Sequence, residues 1–175
     1  MTVSHLAAKL CHMAHPAPAG GSRPRDVQAY WEAVQGPHAP HVYVRLLGLK
    51  DYDPASLHER VEKGIEYRFF ERLVSLLQLH ARTVADVLLI PTRTIHRRKA
   101  EGRLRPDESD RVLRLTRLFG RAIELFEGDN AAALKWFHSP SNALGGSTPL
   151  AMSKTEPGSI EVERLIGRLE QGVFS

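Results

Sequence analysis

The chain has 175 residues, 42% hydrophobic and 25% charged, values ordinary for a soluble globular protein with one domain or two small ones. A net charge of +4 permits nucleic acid as a partner without requiring it, and a single cysteine, Cys11, excludes an internal disulfide and any cysteine-built zinc site, as suits a reducing cytoplasm. No apolar run reaches the roughly 18–20 residues a membrane span needs, so no membrane is expected.

Residues 1–40 read as a flexible or weakly ordered leader. Lys9 and two histidines break its apolar start, which argues against a secretion signal, and 15-HPAPAGGSRPRD-26 has linker composition. Within it, 27-VQAYWEAV-34 forms a short amphipathic pattern whose apolar face needs a partner, a candidate dimerisation element. The stretch 42-VYVRLLGL-49 fits a short strand or a helical turn equally. Asp53-Pro54 opens a helix that Gly64 stops. From Ile65 onward, Phe69, Phe70, Leu73, Val74 and Leu77 recur at helical spacing.

Two short helical patterns follow, 82–89 and 92–102, with Ile90-Pro91 between them. The longest helix runs over 106–128. It opens on Pro106 and three acids, buries Val112, Leu115, Leu118, Phe119, Ala122 and Phe126, and closes at Gly128. Asp129 or Asn130 can cap a helix over 131–138, and a last helix spans about 159–172 with Ser159 as N-cap. No convincing set of strands appears. The expected fold class is all-α, with a helix-turn-helix bundle over 41–128 and a small helical domain over 129–175.

The loop 138-HSPSNALGGSTPL-150 has a double glycine suggestive of a phosphate cradle. A Walker loop, however, needs a lysine directly after its last glycine, and the next lysine here is Lys154. Nor does a buried strand precede it, as a dinucleotide loop requires. Gly145 and Gly146 are therefore expected to form a turn whose backbone angles other residues avoid.

Chemistry concentrates instead between Thr92 and Arg105, where six basic residues face one acid, Glu101. A helix-turn-helix places a small residue where its helices cross and a buried aliphatic residue about ten positions later; Ala85 and Ile95 meet that spacing. Thr92, Arg93, His96 and Arg97 then share an outward face, and Thr94 and Arg98 complete the candidate DNA-binding set. Arginine can fork onto guanine edges or phosphate, and threonine can bond phosphate. Leu89 occupies the turn position usually given to glycine. A second basic stripe, Arg111, Arg114 and Arg121, lies on the polar side of the long helix, to touch phosphate or to keep that face soluble.

At this point the residues resemble a known family. Residues 129–175 closely resemble the toxin-binding C-terminal domain of Xre-type antitoxins that pair with RES-domain toxins. The matching positions include Asn130-Ala131-Ala132, Trp136, Pro140, Asn142, Ala143-Leu144-Gly145-Gly146, Thr155-Glu156, Gly167-Arg168, Glu170 and Gly172-Val173. The likeness extends back through 92-TRTIHRR-98 and 107-DESDRVLRL-115, covers about 64–175, and is absent from the first 40 residues. Phe137, Ser141 and Met152-Ser153 depart from it locally.

The resemblance implies a Cro/Xre-like helix-turn-helix bundle that forms a homodimer and binds palindromic operator DNA, repressing its own operon. The C-terminal domain would cap a RES toxin, whose fold is similar to ADP-ribosyltransferases and which typically destroys NAD. It implies a cytoplasmic protein, at the nucleoid when bound to DNA. Carried over residue by residue, the toxin-binding set is Trp136, Asn142, Leu144, Gly145, Gly146, Glu156, Arg168, Glu170 and Val173. Phe174 and Ser175 complete it: the tail is apolar and ends in a carboxylate suited to an anion pocket; equally, Val173 and Phe174 can fold back onto their own domain. Residues 129–175 hold four basic and five acidic side chains, so they are no second DNA surface.

No cofactor, metal or catalytic residue is expected. His12, His15, His38 and His41 lie in the leader and a Pro-rich turn, and no histidine pair stands at metal-binding helical spacing beside an acid. Cys11 has no histidine or aspartate set beside it. The competing reading is a transcription regulator whose C-terminal domain binds a different protein or a ligand.

Overall fold

The computed structural model describes residues 42–48 and 53–172. The expected helix over 27–34, the rest of the leader, and Val173, Phe174 and Ser175 lie outside them. Among the described residues every regular element is helical, and the chain forms two compact units that divide between Arg117 and Leu118.

In the first unit, Val42–Leu46 is helix α1, which resolves the choice between strand and helical turn. Val42, Val44, Leu46 and Leu47 are buried, and Arg72 Nε donates to the Leu46 carbonyl at 2.5 Å, satisfying an orphan acceptor at the helix end. Helix α2 (Pro54–Glu62) starts as expected. Asp53 accepts from the Ser56 amide at 3.0 Å and from the Ala55 amide at 3.4 Å, with proline in the first turn. None of its nine residues is fully buried, so it depends on contacts at its end. Arg60 donates through Nη2 to both oxygens of the Glu66 carboxylate, 3.1 Å each, and lies over the Phe69 ring.

Gly64, just beyond, is obligatory on two counts. Its φ is +78°, and a Cβ there would lie 2.0 Å from the Leu104 carbonyl oxygen. That approach lets 64–67 be sewn to 102–104. Leu104 N–H donates to Ile65 at 2.9 Å, Tyr67 N–H donates to Gly102 at 2.9 Å, and the Arg103 guanidinium reaches the Gly64 carbonyl. Helix α3 (Arg68–Leu77) then buries Phe69, Phe70, Leu73, Leu76 and Leu77. Val74, expected in that stripe, is only half-buried, while Leu76, outside it, is buried.

Helices α4 (Ala81–Val87), α5 (Thr92–Glu101) and α6 (Pro106–Leu125) follow. The expected stripe of α6 is buried throughout, including Val112, Leu115, Leu118, Phe119 and Ala122. The helix ends earlier than Gly128. Glu127 takes φ 52° and its amide donates to Glu124, while the Gly128 amide donates to Ile123, so a glutamate holds the left-handed turn.

In the second unit, Asp129 caps helix α7 (Asn130–His138), accepting from the Ala131 and Ala132 amides at 3.0 Å each. Its core is aromatic: Phe119 meets Phe137 edge-on at 5.5 Å, and Trp136 lies 6.2 Å from Phe126. After a 3-10 turn over Asn142–Leu144 comes α8 (Pro149–Met152), too short to leave a periodic signal, capped by Thr148. The last helix, α9, runs Glu156–Glu170. Its N-cap is Thr155, whose hydroxyl accepts from the Gly158 amide at 3.2 Å, and not Ser159. Ser159 is buried within the helix, its hydroxyl directed at the Ser153 carbonyl 3.4 Å away. The segment Thr-Glu-Pro carries the correct signal, a capping hydroxyl with proline in the first turn.

Candidate functional site

Helices α4 and α5 make the helix-turn-helix. Ala85 is wholly buried and Ile95 is 6% exposed, as close crossing and core anchoring require. The turn between them is built on Leu89 at φ +55°. The Leu89 amide donates to Asp86 at 3.2 Å and the Ile90 amide to Ala85 at 2.9 Å, the paired bonds of a Schellman end. Leucine thus makes the left-handed turn despite its Cβ, while its side chain is 56% exposed. Strain of roughly 1–2 kcal/mol is stored there.

On α5, Thr92, Arg93, His96 and Arg97 are all exposed, and Thr94 is half-buried. Arg98 does not join them. It is 4% exposed and faces inward: Nε donates to Glu108 at 2.7 Å and Nη1 to Glu101 at 2.6 Å. The expectation that Arg98 touches DNA is therefore corrected. It stands three residues after Ile95, on the inner face, and the Glu108 bond raises its pKa against burial. Glu101 also pairs with Arg97 from outside, Oε1 to Nε at 3.7 Å.

The second basic stripe is matched by acids, two of them on the same helix. Arg111 pairs with Asp107, and Arg114 with Asp110 at 3.3 Å. Arg121 reaches Glu170 of α9 at 2.9 Å.

In the second unit, 141–147 is a closed loop. Ser141 N–H donates to the Ser147 carbonyl at 3.0 Å, Gly145 N–H to Asn142 at 3.0 Å, and Gly146 N–H to Ser141 at 2.9 Å. A phosphate cradle needs its amides free to face the ligand, and here they bond within the loop. Gly145 and Gly146 sit at φ +63° and +83°, as expected for a shaped turn. Of the residues carried over for toxin contact, Asn142, Gly145, Gly146, Glu156 and Glu170 are exposed and Arg168 is half-exposed. Trp136 and Leu144 are buried at 9% and 7%, so they shape the unit from within. Glu170 lies at the end of α9 with its carboxylate on Arg121.

Burial lifts the Glu124 carboxyl above its usual range; Arg121 opposes the shift and Glu170 adds to it. Burial also holds the His138 imidazole below its usual range.

Two family models match the chain, one to each unit. The antitoxin Xre-like helix-turn-helix domain matches residues 56–117, and the antitoxin Xre/MbcA/ParS C-terminal toxin-binding domain matches residues 121–172. An Antitoxin Xre of Yersinia enterocolitica is 45% identical over 127 residues, 70% of this chain and 86% of that protein. The chain belongs to the Xre antitoxin family. This antitoxin is also 30% identical to an Antitoxin Xre of Photorhabdus laumondii over 75% of the chain and 89% of that protein. It is 27% identical to a protein named Prs ADP-ribosylating antitoxin from Sphingobium sp., over 66% of the chain and 78% of that protein. The antitoxin thus has a helix-turn-helix domain and a toxin-binding domain, and no helix among its described residues is long and apolar enough to cross a membrane.

Three features of the antitoxin escaped sequence reasoning: the Arg98–Glu108 pair, Ser109 and the Arg121–Glu170 pair. Ser109, wholly buried, accepts from the Ile65 amide at 3.0 Å and donates to the Arg105 carbonyl at 2.7 Å. Helical phase relative to Ile95 was the available signal for Arg98. The other two join segments 44 and 49 residues apart, beyond any local pattern.

Proposed function

We propose that this antitoxin neutralises a RES-domain toxin by covering its NAD site, and represses its own operon by binding operator DNA as a homodimer. Support for the toxin half comes from the C-terminal family match together with the exposure of Asn142, Gly145, Gly146, Glu156 and Glu170 and the half-exposure of Arg168. One relative is named for ADP-ribosylation, chemistry that consumes NAD, which favours a toxin of this class. Val173, Phe174 and Ser175 belong to the toxin-contacting set in this reading. The DNA half rests on the exposed Thr92, Arg93, His96 and Arg97 along one face of α5, with Thr94 at its edge.

The single observation carrying this reading is the pairing of an exposed basic recognition helix with a separate unit that is not basic. The test is co-expression with a RES-domain toxin from the same host, with cellular NAD as readout. Full-length chain preserves NAD, and a chain lacking residues 129–175 does not. NAD loss unaffected by the full chain would overturn the toxin assignment.

A further inference from the structure

The C-terminal end of α5 is held by a buried charge pair where an apolar contact would serve stability as well. Arg98 and Glu108 are 4% and 5% exposed. Replacing such pairs by well-packed apolar residues is often neutral or stabilising, and their best-attested use is to fix one arrangement among several. Here the geometry is directional. One planar guanidinium donates through Nε to Glu108 on α6 and through Nη1 to Glu101 on its own helix. Glu108 Oε2 also accepts from the Arg105 amide at 2.7 Å, the third residue of α6 reaching back to its N-cap. The acceptor is thus itself immobilised, and the chain between the two helices is clipped to 64–67.

We propose that Arg98 is a positioning residue, setting the rotation of α5 about its axis and so the register in which Arg93 and Arg97 meet base edges; this rests on the DNA-binding reading above. Arg97 is its neighbour in sequence, and one carboxylate, Glu101, contacts both. A rotation that breaks the inner pair swings the outer arginines by the same angle. Bidentate base contacts tolerate little misalignment, whereas phosphate contacts are long-ranged and forgiving. Loss of Arg98 should therefore erode discrimination between sequences before it erodes binding to DNA in general.

The test uses the full chain and two duplexes of equal length, one from the region upstream of its own coding sequence and one scrambled. Arg98→Lys keeps the charge and loses the fork. The double variant Arg98→Met with Glu108→Gln removes the buried ions and keeps an acceptor for the Arg105 amide. Both should show a lower ratio of specific to scrambled affinity, by roughly tenfold, while the slope of affinity against salt stays that of the native chain. A wild-type ratio in folded Arg98→Lys would overturn the proposal, as would loss of binding that merely tracks loss of folded protein in thermal melts. If the double variant does not fold, Arg98→Lys decides. A native chain with no preference between duplexes refutes the DNA-binding reading itself, a result distinguishable from either.

Discussion

The same substitution at two positions of α9 should change stability in opposite directions. Gly158 sits in the first turn, and a Cβ there would lie 2.0 Å from the Met152 carbonyl oxygen, a backbone atom. An ordinary contact is more than 1 Å longer, so Gly158→Ala must displace α8 from α9 and strain the Thr155 cap, whose hydroxyl bonds the Gly158 amide. Overpacking of this kind costs about 3 kcal/mol. The better helix propensity of alanine returns about 1 kcal/mol. The net loss is about 2 kcal/mol, a fall on the order of 10 °C in the transition of a unit this size. Gly167, in the same helix, has nothing within 4 Å of its would-be Cβ. Gly167→Ala keeps the propensity gain alone and should stabilise by about 0.5–1 kcal/mol. Thermal unfolding of the full chain followed by far-ultraviolet circular dichroism measures both. Gly158→Ala melting at or above the native temperature would refute the argument, since the close backbone approach would then constrain nothing.

Other consequences are as specific. Arg93→Ala and Arg97→Ala should each weaken duplex binding by about 1–3 kcal/mol if the arginine reads a base, measured by gel-shift titration at fixed salt; unchanged affinity for both would remove α5 from the interface. Glu101→Gln frees Arg97 of a competing carboxylate 3.7 Å away but also loosens Arg98, 2.6 Å from the same group, so it should tighten binding to a scrambled duplex a few-fold while narrowing the preference for the specific one; weaker binding to the scrambled duplex by a folded variant would contradict this. His138 is kept below its ordinary value near 6.5 by burial, so the unfolded chain takes up its proton first as pH falls. Stability from this group is complete above about pH 6.5 and declines below it, and His138→Gln should flatten that decline in urea titrations between about pH 7 and pH 5. An unchanged pH profile would show that the imidazole is not the group responsible.

Much of the architecture was legible because it is local. The stripe of α6, the Asp53 and Asp129 caps, and the ten-residue spacing from Ala85 to Ile95 are short-range patterns, and each stands where the sequence puts it. Arg98 was misread because a run of charges looks uniformly solvated, although helical phase already placed it beside Ile95 on the inner face. The start of α9 was misread because Ser159 and Thr155 both offer a hydroxyl, and only the proline after Glu156 distinguishes them. Trp136 and Leu144 matched a toxin-contact pattern but lie inside the unit: a motif marks positions that matter without separating those that touch a partner from those that shape the surface.

Besides the turns at Leu89 and Glu127, helix α3 also ends on a left-handed residue other than glycine, Gln78 at φ 53°. Each gives up roughly 1 kcal/mol that an unstrained end would keep, and roughly tenfold in the population of opened chain follows for every 1.4 kcal/mol. Proteases cut the opened form, so when reclosing is faster than cleavage the lifetime of a chain follows that population. For an antitoxin, whose hold on its partner depends on how much intact chain is present, these three turns bear on persistence rather than on recognition. Asparagine at position 89, which accepts the left-handed conformation more readily than leucine, should lengthen the half-life of the protein in a proteolysis assay.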